Sequence, residues 1–402
     1  MHPRTWLTLL TLPLVTAFSY PVLLRGTQPP RTESTPAKPD PLDGLADIQD
    51  VLALVRDNYV DPPDLSKVVG GGIQAALERA HPLNAYLLPE DLRLPDPGPA
   101  EIGIRVIKRG IYAHIIHVRA GSPAAEAGVQ VGEAIRRLDG ESIGPMSAWT
   151  LERRLRGADG SALAITRFMN TTGDVRTVTL HRKVLAAPSI TVRKESTATL
   201  VALPDLKVGR SEELKQLLGP LDHALPLVLD LRQCAGGDVV EAARVARLFV
   251  KAEPFATVQE QSKPDQGLAA GVDLQPPFAR LAYLAGFSTI GPAELFASAL
   301  KKQAVASFGD RTAGLAVERN RFLLRQGGAV ELVNRRWLGA GGEKLDRTGV
   351  VPEFPLRGLK PEDDPLPKIL EALAKPREKA PAPKPEPGKQ ARRVRSSDAV
   401  AV

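Results

Sequence analysis

Aromatic side chains are scarce, with 3 Trp, 5 Tyr and 10 Phe making up only 4% of 402 residues. So few rings exclude a base-stacking platform and leave the core to Leu, Val, Ile and Ala. A single cysteine, Cys234, rules out an intramolecular disulfide and a cysteine-based zinc site. The six histidines are scattered. The closest pair, His114 and His117, has an odd separation that puts the two on opposite faces of a regular strand. No metal site and no cofactor is assigned. An excess of one charge is lacking too: 53 Lys and Arg against 46 Asp and Glu leave a net charge of +7. That balance is too mild and too spread for nucleic-acid binding. What is present is ordinary for a folded protein, 43% hydrophobic and 25% charged, which excludes a wholly disordered chain. The length allows two or three domains at roughly 150 residues each.

The uncharged run Trp6 to Leu24 measures about 28 Å as a helix, close to the thickness of a bilayer core. Ala17 and Ser19 supply small residues at the spacing a signal peptidase reads, while Pro13 and Pro21 weaken a lasting span. Residues 1–25 are therefore read as a cleaved signal peptide or an N-terminal membrane anchor, and either one exports the body. Residues 26–44 form a Pro-rich linker. From Leu45, apolar residues at Leu45, Ile48, Val51, Leu52, Leu54 and Val55 follow a helical period, and a second helix is expected from Leu65 to Arg79. These give an N-terminal helical segment over 45–95. At the other end, residues 361–402 hold one short helix, Leu366 to Ala374. A Pro- and Lys-rich stretch without periodicity follows and is expected to be mostly disordered.

Residues 96–185 read as short strands and two short helices. Strands are expected at Ile102 to Ile107, Ile111 to Val118 and Val175 to Leu180. Ser122 can cap a helix that Pro123 starts and Gly128 closes, and a second helix spans about Ser147 to Leu155. The stretch G-S-P-A-A-E-A-G-V-Q-V-G-E-A-I-R-R-L-D-G (121–140) resembles the body of a PDZ domain of the bacterial protease-associated type. That resemblance implies binding of an extended peptide or a free C-terminus as an added strand. The backbone amides of Ile102, Gly103 and Ile104 would hold the carboxylate.

Residues 186–360 alternate strands with helices, the pattern of crossover units on a sheet. Strand Thr199 to Leu203 precedes helix Ser211 to Leu218. Strand Leu225 to Leu231 runs through R-Q-C-A-G-G into helix Val239 to Val250. Strand Ala279 to Leu284 precedes helix Ala293 to Gln303, and a hairpin turns at Gln326-Gly327-Gly328. The segment L-V-L-D-L-R-Q-C-A-G-G-D-V-V-E-A-A-R-V-A-R-L-F-V (227–250) is similar to the signature of the C-terminal processing (tail-specific) serine peptidases. N-Y-V-D-P (58–62), H-P-L-N-A-Y-L (81–87), G-P-A-E-L-F-A-S-A-L (291–300), G-D-R-T-A-G (309–314) and T-G-V-V-P-E (348–353) resemble further motifs of that family. The fold expected is a multidomain α/β (α+β) protein with a PDZ domain between the helical segment and a β/α peptidase-like core.

The resemblance implies a serine nucleophile, a neutral lysine as its base, and an oxyanion held by backbone N–H groups. Gly236 and Gly237 match the turn that supplies one such donor. The family's serine lies three residues before a helix glutamate matched by Glu294, and that seat holds Gly291. The family's lysine follows the glycine of T-x-G-K, and that seat holds Leu315. Neither replacement can attack or accept a proton. Ser288 and Lys302 are the candidates for a relocated pair, Ser298 with Lys302 has i, i+4 spacing, and Cys234 is read as a small loop residue.

The expectation is thus an exported protein of the cell envelope that binds extended peptides or protein C-termini without cutting them. Its other expected partners are an active peptidase relative and, through the N-terminal segment, the membrane. The alternatives are an active serine endopeptidase with a relocated nucleophile and a structural envelope scaffold.

Overall fold

The computed structural model describes residues 44–374 except 62, 170–171, 252 and 357–363. The expected signal peptide or anchor (1–25), nearly all of the expected linker (26–44) and the Pro- and Lys-rich run lie outside the described residues. No described helix is long and apolar enough to cross a membrane. The chain divides into two compact units, residues 1–65 and 66–402. In the first, the helical period seen in sequence forms α1 (Leu45–Asn58), none of whose residues is buried.

The second unit takes up most of α2 (Leu65–Ala80), whose Gly70, Gly71 and Gly72 lie inside the helix. Each glycine there costs about 1 kcal/mol relative to alanine, so tertiary contacts must hold the helix. Gln74 provides one: its Oε1 accepts from the Tyr86 N–H at 2.8 Å and its Nε2 donates to Glu78.

The PDZ-type sheet follows the chain as β1 (Ile104–Arg109), β2 (Tyr112–Val118), β3 (Ala134–Leu138), β4 (Ala162–Phe168) and β5 (Val175–His181), with each strand antiparallel to its neighbour. Two capped helices flank it. Ser122 accepts from the Ala125 N–H ahead of α3 (Pro123–Glu126), and Ser147 accepts from the Thr150 N–H ahead of α4 (Ala148–Leu155). Ile102, Ile115, Ile135, Leu138, Leu151 and Leu163 fill its core. The first strand starts two residues later than the sequence suggests, because Ile102 and Gly103 belong to the loop before it.

The two histidines correct the sequence reading. A bulge in β2 sets His114 opposite Ile107 and His117 opposite Arg105. Ile107 and Arg105 are two apart on one strand, so both histidines share a face. The extra residue, Ile116, absorbs the odd count.

The core sheet runs β6 (Thr191–Lys194), β7 (Thr199–Ala202), β8 (Leu227–Asp230), β9 (Leu281–Ala285), β10 (Ala306–Gly309) and β11 (Phe354–Pro355) in spatial order, parallel from β7 onward. Side-chain alternation splits the strands between two faces. Val201, Leu229 and Tyr283 pack under α5 (Arg210–Leu218), α6 (Val239–Ala246) and α7 (Pro292–Lys302). Leu200, Val228, Ala282 and Phe308 pack under α8 (Leu366–Ala374). With both faces covered, β8 is buried at every position, which is why Leu227, Val228 and Leu229 read as an unbroken apolar run. Helix α6 is shorter than its apolar pattern because the chain tightens after Ala246, where Leu248 and Phe249 donate to the carbonyls three residues back. A separate antiparallel sheet, built on Ala329–Leu338, completes the fold, and the hairpin partner of that strand is Val317–Leu323.

Candidate active site and peptide groove

The seat expected for the nucleophile is Gly291, at the entry to α7. Its φ of 64° and ψ of −119° lie where side chains are strained and glycine is at ease. A sharp, strained strand-to-helix turn of this kind is how hydrolases present a nucleophile. A Cβ at Gly291 would meet only the Leu315 carbonyl oxygen, at 3.7 Å. The seat therefore has room for a side chain and carries none.

Glu294 organises what surrounds it. The carboxylate is fully buried and accepts four hydrogen bonds: from Gly291 N–H (3.0 Å), Thr312 Oγ1 (2.5 Å), Gly314 N–H (2.6 Å) and Leu315 N–H (2.7 Å). Burial pushes this carboxyl above its ordinary range, and the four donors oppose the push. One side chain thus fixes the backbone of both dyad seats. The nucleophile seat is glycine, however, and the base seat is leucine. Leu315 packs with Ile290 and Phe287 of the core and with Ile107 and Ile116 of the PDZ-type sheet. An apolar plug fills the place of an amine.

The oxyanion donors fare no better. The residue after the nucleophile seat is Pro292, which has no N–H to give. At the Gly-Gly turn, the Gly236 N–H already donates to the Ile290 carbonyl at 3.2 Å. Gly237, with φ at 132°, runs against Leu206 and makes no backbone N–H bond among the described residues. One backbone donor of the expected pair is left.

The candidates for a relocated dyad do not meet. The buried Ser288 hydroxyl donates to the Ile116 carbonyl at 2.7 Å, across to the PDZ-type sheet. Lys302 sits about 16 Å further along α7, at 1.5 Å per residue, and its Nζ donates to the Ala340 carbonyl. Ser298 donates to Glu343 Oε1 at 2.5 Å and not to Lys302. Cys234 is completely buried, and burial pushes its thiol up far from any thiolate. An amine absent from the sequence reasoning, Lys108 on β1, lines a cavity of about 310 Å³ with Leu315. Its Nζ is held by Glu78 Oε1 at 2.5 Å and by the Gly144 carbonyl at 2.8 Å, so it serves as a buried ion pair.

The three residues expected to hold a peptide end do come together. Ile102, Gly103 and Ile104 line a cavity of about 410 Å³ with Leu155 of α4. Neither Ile102 nor Gly103 donates its N–H to a backbone carbonyl among the described residues, while the carbonyls of both are bonded, to Ala124 and Arg119 N–H. The same cavity is lined by Ile290 and Leu315, so the groove opens onto the base seat. This union was not legible in the sequence, since it depends on Ile107 and Ile116 of one sheet packing with Ile290 and Leu315 far along the chain. Among the described residues, no cluster of His, Cys, Asp and Glu could hold a metal ion.

A parallel sheet that runs out into a Gly-Gly turn and a strained helix entry has the layout of a serine-peptidase core, here with a PDZ-type sheet laid against it. Residues 198–356 match the model of peptidase family S41, and the chain carries a domain of that family. Curated relatives include a probable CtpA-like serine protease of Staphylococcus aureus strain COL, 22% identical over 319 residues. The match covers 77% of this chain and 64% of the relative. Its counterpart in Staphylococcus saprophyticus is 23% identical over 257 residues, covering 63% of this chain and 52% of that one. The chain thus spans less than two thirds of the length of these relatives. Among solved structures, the photosystem II D1 C-terminal processing protease shares the fold, with a TM-score of 0.65 at 20% identity. That likeness covers 80% of this chain and 88% of the other.

Proposed function

We propose that this chain is an exported, non-catalytic member of the S41 group that binds extended or C-terminal peptides of envelope proteins. It would act as a chaperone, an adaptor or a regulator of an active relative. The observation that carries this reading is the joint loss of three separate parts at one preserved scaffold. Gly291 offers no hydroxyl, Leu315 no amine and Pro292 no N–H, while Glu294 still binds both seats. Removing any one part of such a unit already disables most of its chemistry. Binding is supported by the amides at Ile102 and Gly103, which donate to no backbone carbonyl among the described residues and line a groove of mixed apolar and charged side chains. Export rests on the uncharged run at residues 6–24.

The test is a titration of the full chain with a fluorescent peptide ending in an aliphatic residue, made with a free and with an amidated C-terminus. Charge-assisted bonds to the loop amides should make the free acid bind about tenfold or more tightly. Both peptides should remain uncut. Equal binding removes the carboxylate-loop reading. Shortened peptide favours the relocated-nucleophile alternative, and no binding at all favours a structural scaffold.

A further inference from the structure

We infer that the tip of the hairpin formed by Val317–Leu323 and Ala329–Leu338 docks on an anionic lipid surface. This goes beyond the peptide-binding reading above and does not depend on it. Phe322, Leu323 and Leu324 are 44%, 78% and 40% exposed, three large apolar side chains in a row at the end of the ribbon. Single exposed apolar residues need no explanation, whereas a contiguous group marks a contact surface. The turn adds no cover. The Leu324 N–H donates to the Gly328 carbonyl at 2.8 Å and the Gly327 N–H to the Leu324 carbonyl at 3.0 Å, and residues 321–327 are all exposed.

The shape of the tip selects the partner. With Phe322 opposite Val330 and Leu323 opposite Ala329, successive side chains leave the ribbon on opposite faces. Phe322 and Leu324 therefore point one way and Leu323 the other. A flat protein surface would cover one of these faces and leave the other in water. A lipid interface surrounds the whole tip.

Charge names the kind of lipid. Arg325, in the turn, makes no ion pair or hydrogen bond among the described residues. Residues 317–338 hold five arginines against Glu318 and Glu331, a net charge of +3. The loop that meets the turn at Pro89 adds Glu90, Asp91 and Arg93, which leaves this end of the sheet at +2. Basic side chains beside an anionic headgroup layer strengthen the binding that apolar contact begins. The uncharged run 6–24, read as an anchor, would hold the body beside a bilayer through residues 26–44, which reach at most about 65 Å.

The test reads the tip itself, because the run 6–24 of the full chain can bind lipid on its own. In the full chain with Cys234→Ala, Leu323→Cys carries an environment-sensitive fluorophore. Thr179→Cys, exposed on the PDZ-type sheet, carries the same label as the reference. Each protein is titrated with vesicles of phosphatidylglycerol and phosphatidylethanolamine or of phosphatidylcholine alone, with and without nitroxide on the acyl chains. In the anionic vesicles the label at 323 should shift to the blue and be quenched by the nitroxide severalfold more than the label at 179. Arg325→Glu should weaken that response about tenfold, the scale of reversing one charge at an anionic surface, and Phe322→Ser about fivefold. Both residues are exposed, so both variants should fold. A label at 323 that stays in water, answers phosphatidylcholine equally, or keeps its full response in both variants overturns the inference. A blue shift that needs no vesicles and grows with protein concentration also overturns it, with a second copy of the chain as the occupant.

Discussion

Glu294→Ala should cost the protein about 4 kcal/mol or more, because four buried donors lose their acceptor at about 1–3 kcal/mol each. The donors are Gly291, Gly314 and Leu315 N–H and the Thr312 hydroxyl. A melting temperature lower by about 10 °C is the expected reading for a unit of this size. The loss should also loosen the stretch from Thr312 to Leu315, since Thr312 in turn accepts from the Val350 N–H at 2.7 Å. Glu294→Gln keeps one acceptor oxygen and should lose less. Calorimetry of the three proteins checks the order, and a shift below about 3 °C for the alanine variant would contradict the role given to this carboxylate. Glu294 is 0% exposed and holds two backbone segments, with no free hydroxyl or amine beside it to serve.

The two glycines of the Gly-Gly turn should respond very differently to a methyl group. At Gly237 a Cβ would lie 2.4 Å from the Leu206 carbonyl oxygen and carbon, a contact that backbone must move to relieve. Gly237→Ala should therefore cost about 3 kcal/mol or more, through overpacking added to strain at a positive φ. At Gly236 a Cβ meets nothing within 4 Å. Gly236→Ala should cost only the left-handed penalty of about 1–2 kcal/mol. Urea unfolding of the two variants measures this difference directly. Similar midpoints would mean that the turn is not pressed against Leu206 as described.

Sequence patterns foretold the elements whose signals are local. The helices α3 and α4 follow their serine caps, β8 its apolar run, and α7 its apolar face and entry proline. The seats that the resemblance assigns to the dyad could be placed on the sequence, because Glu294 fixes the count back to Gly291. Features made by distant residues stayed hidden. The Glu294 hub draws on residues 18 to 21 positions downstream, which no window reveals. The bulge at Ile116 leaves no mark in composition or period, and it puts His114 and His117 on one face. Strands such as β3 and β10 are too short for alternation to stand out against their neighbours.

Covalent trapping tests the loss of chemistry most directly. The purified full chain is incubated with a serine-directed fluorophosphonate and, in parallel, with an unfolded protein bearing an apolar C-terminal tail. Intact-mass spectrometry reads both. The protein should keep its mass and the tail its full length, since no hydroxyl stands at Gly291 and no amine at Leu315. A single adduct mapped to a serine, together with a shortened tail that disappears when that serine is replaced, would show a working nucleophile and contradict the account.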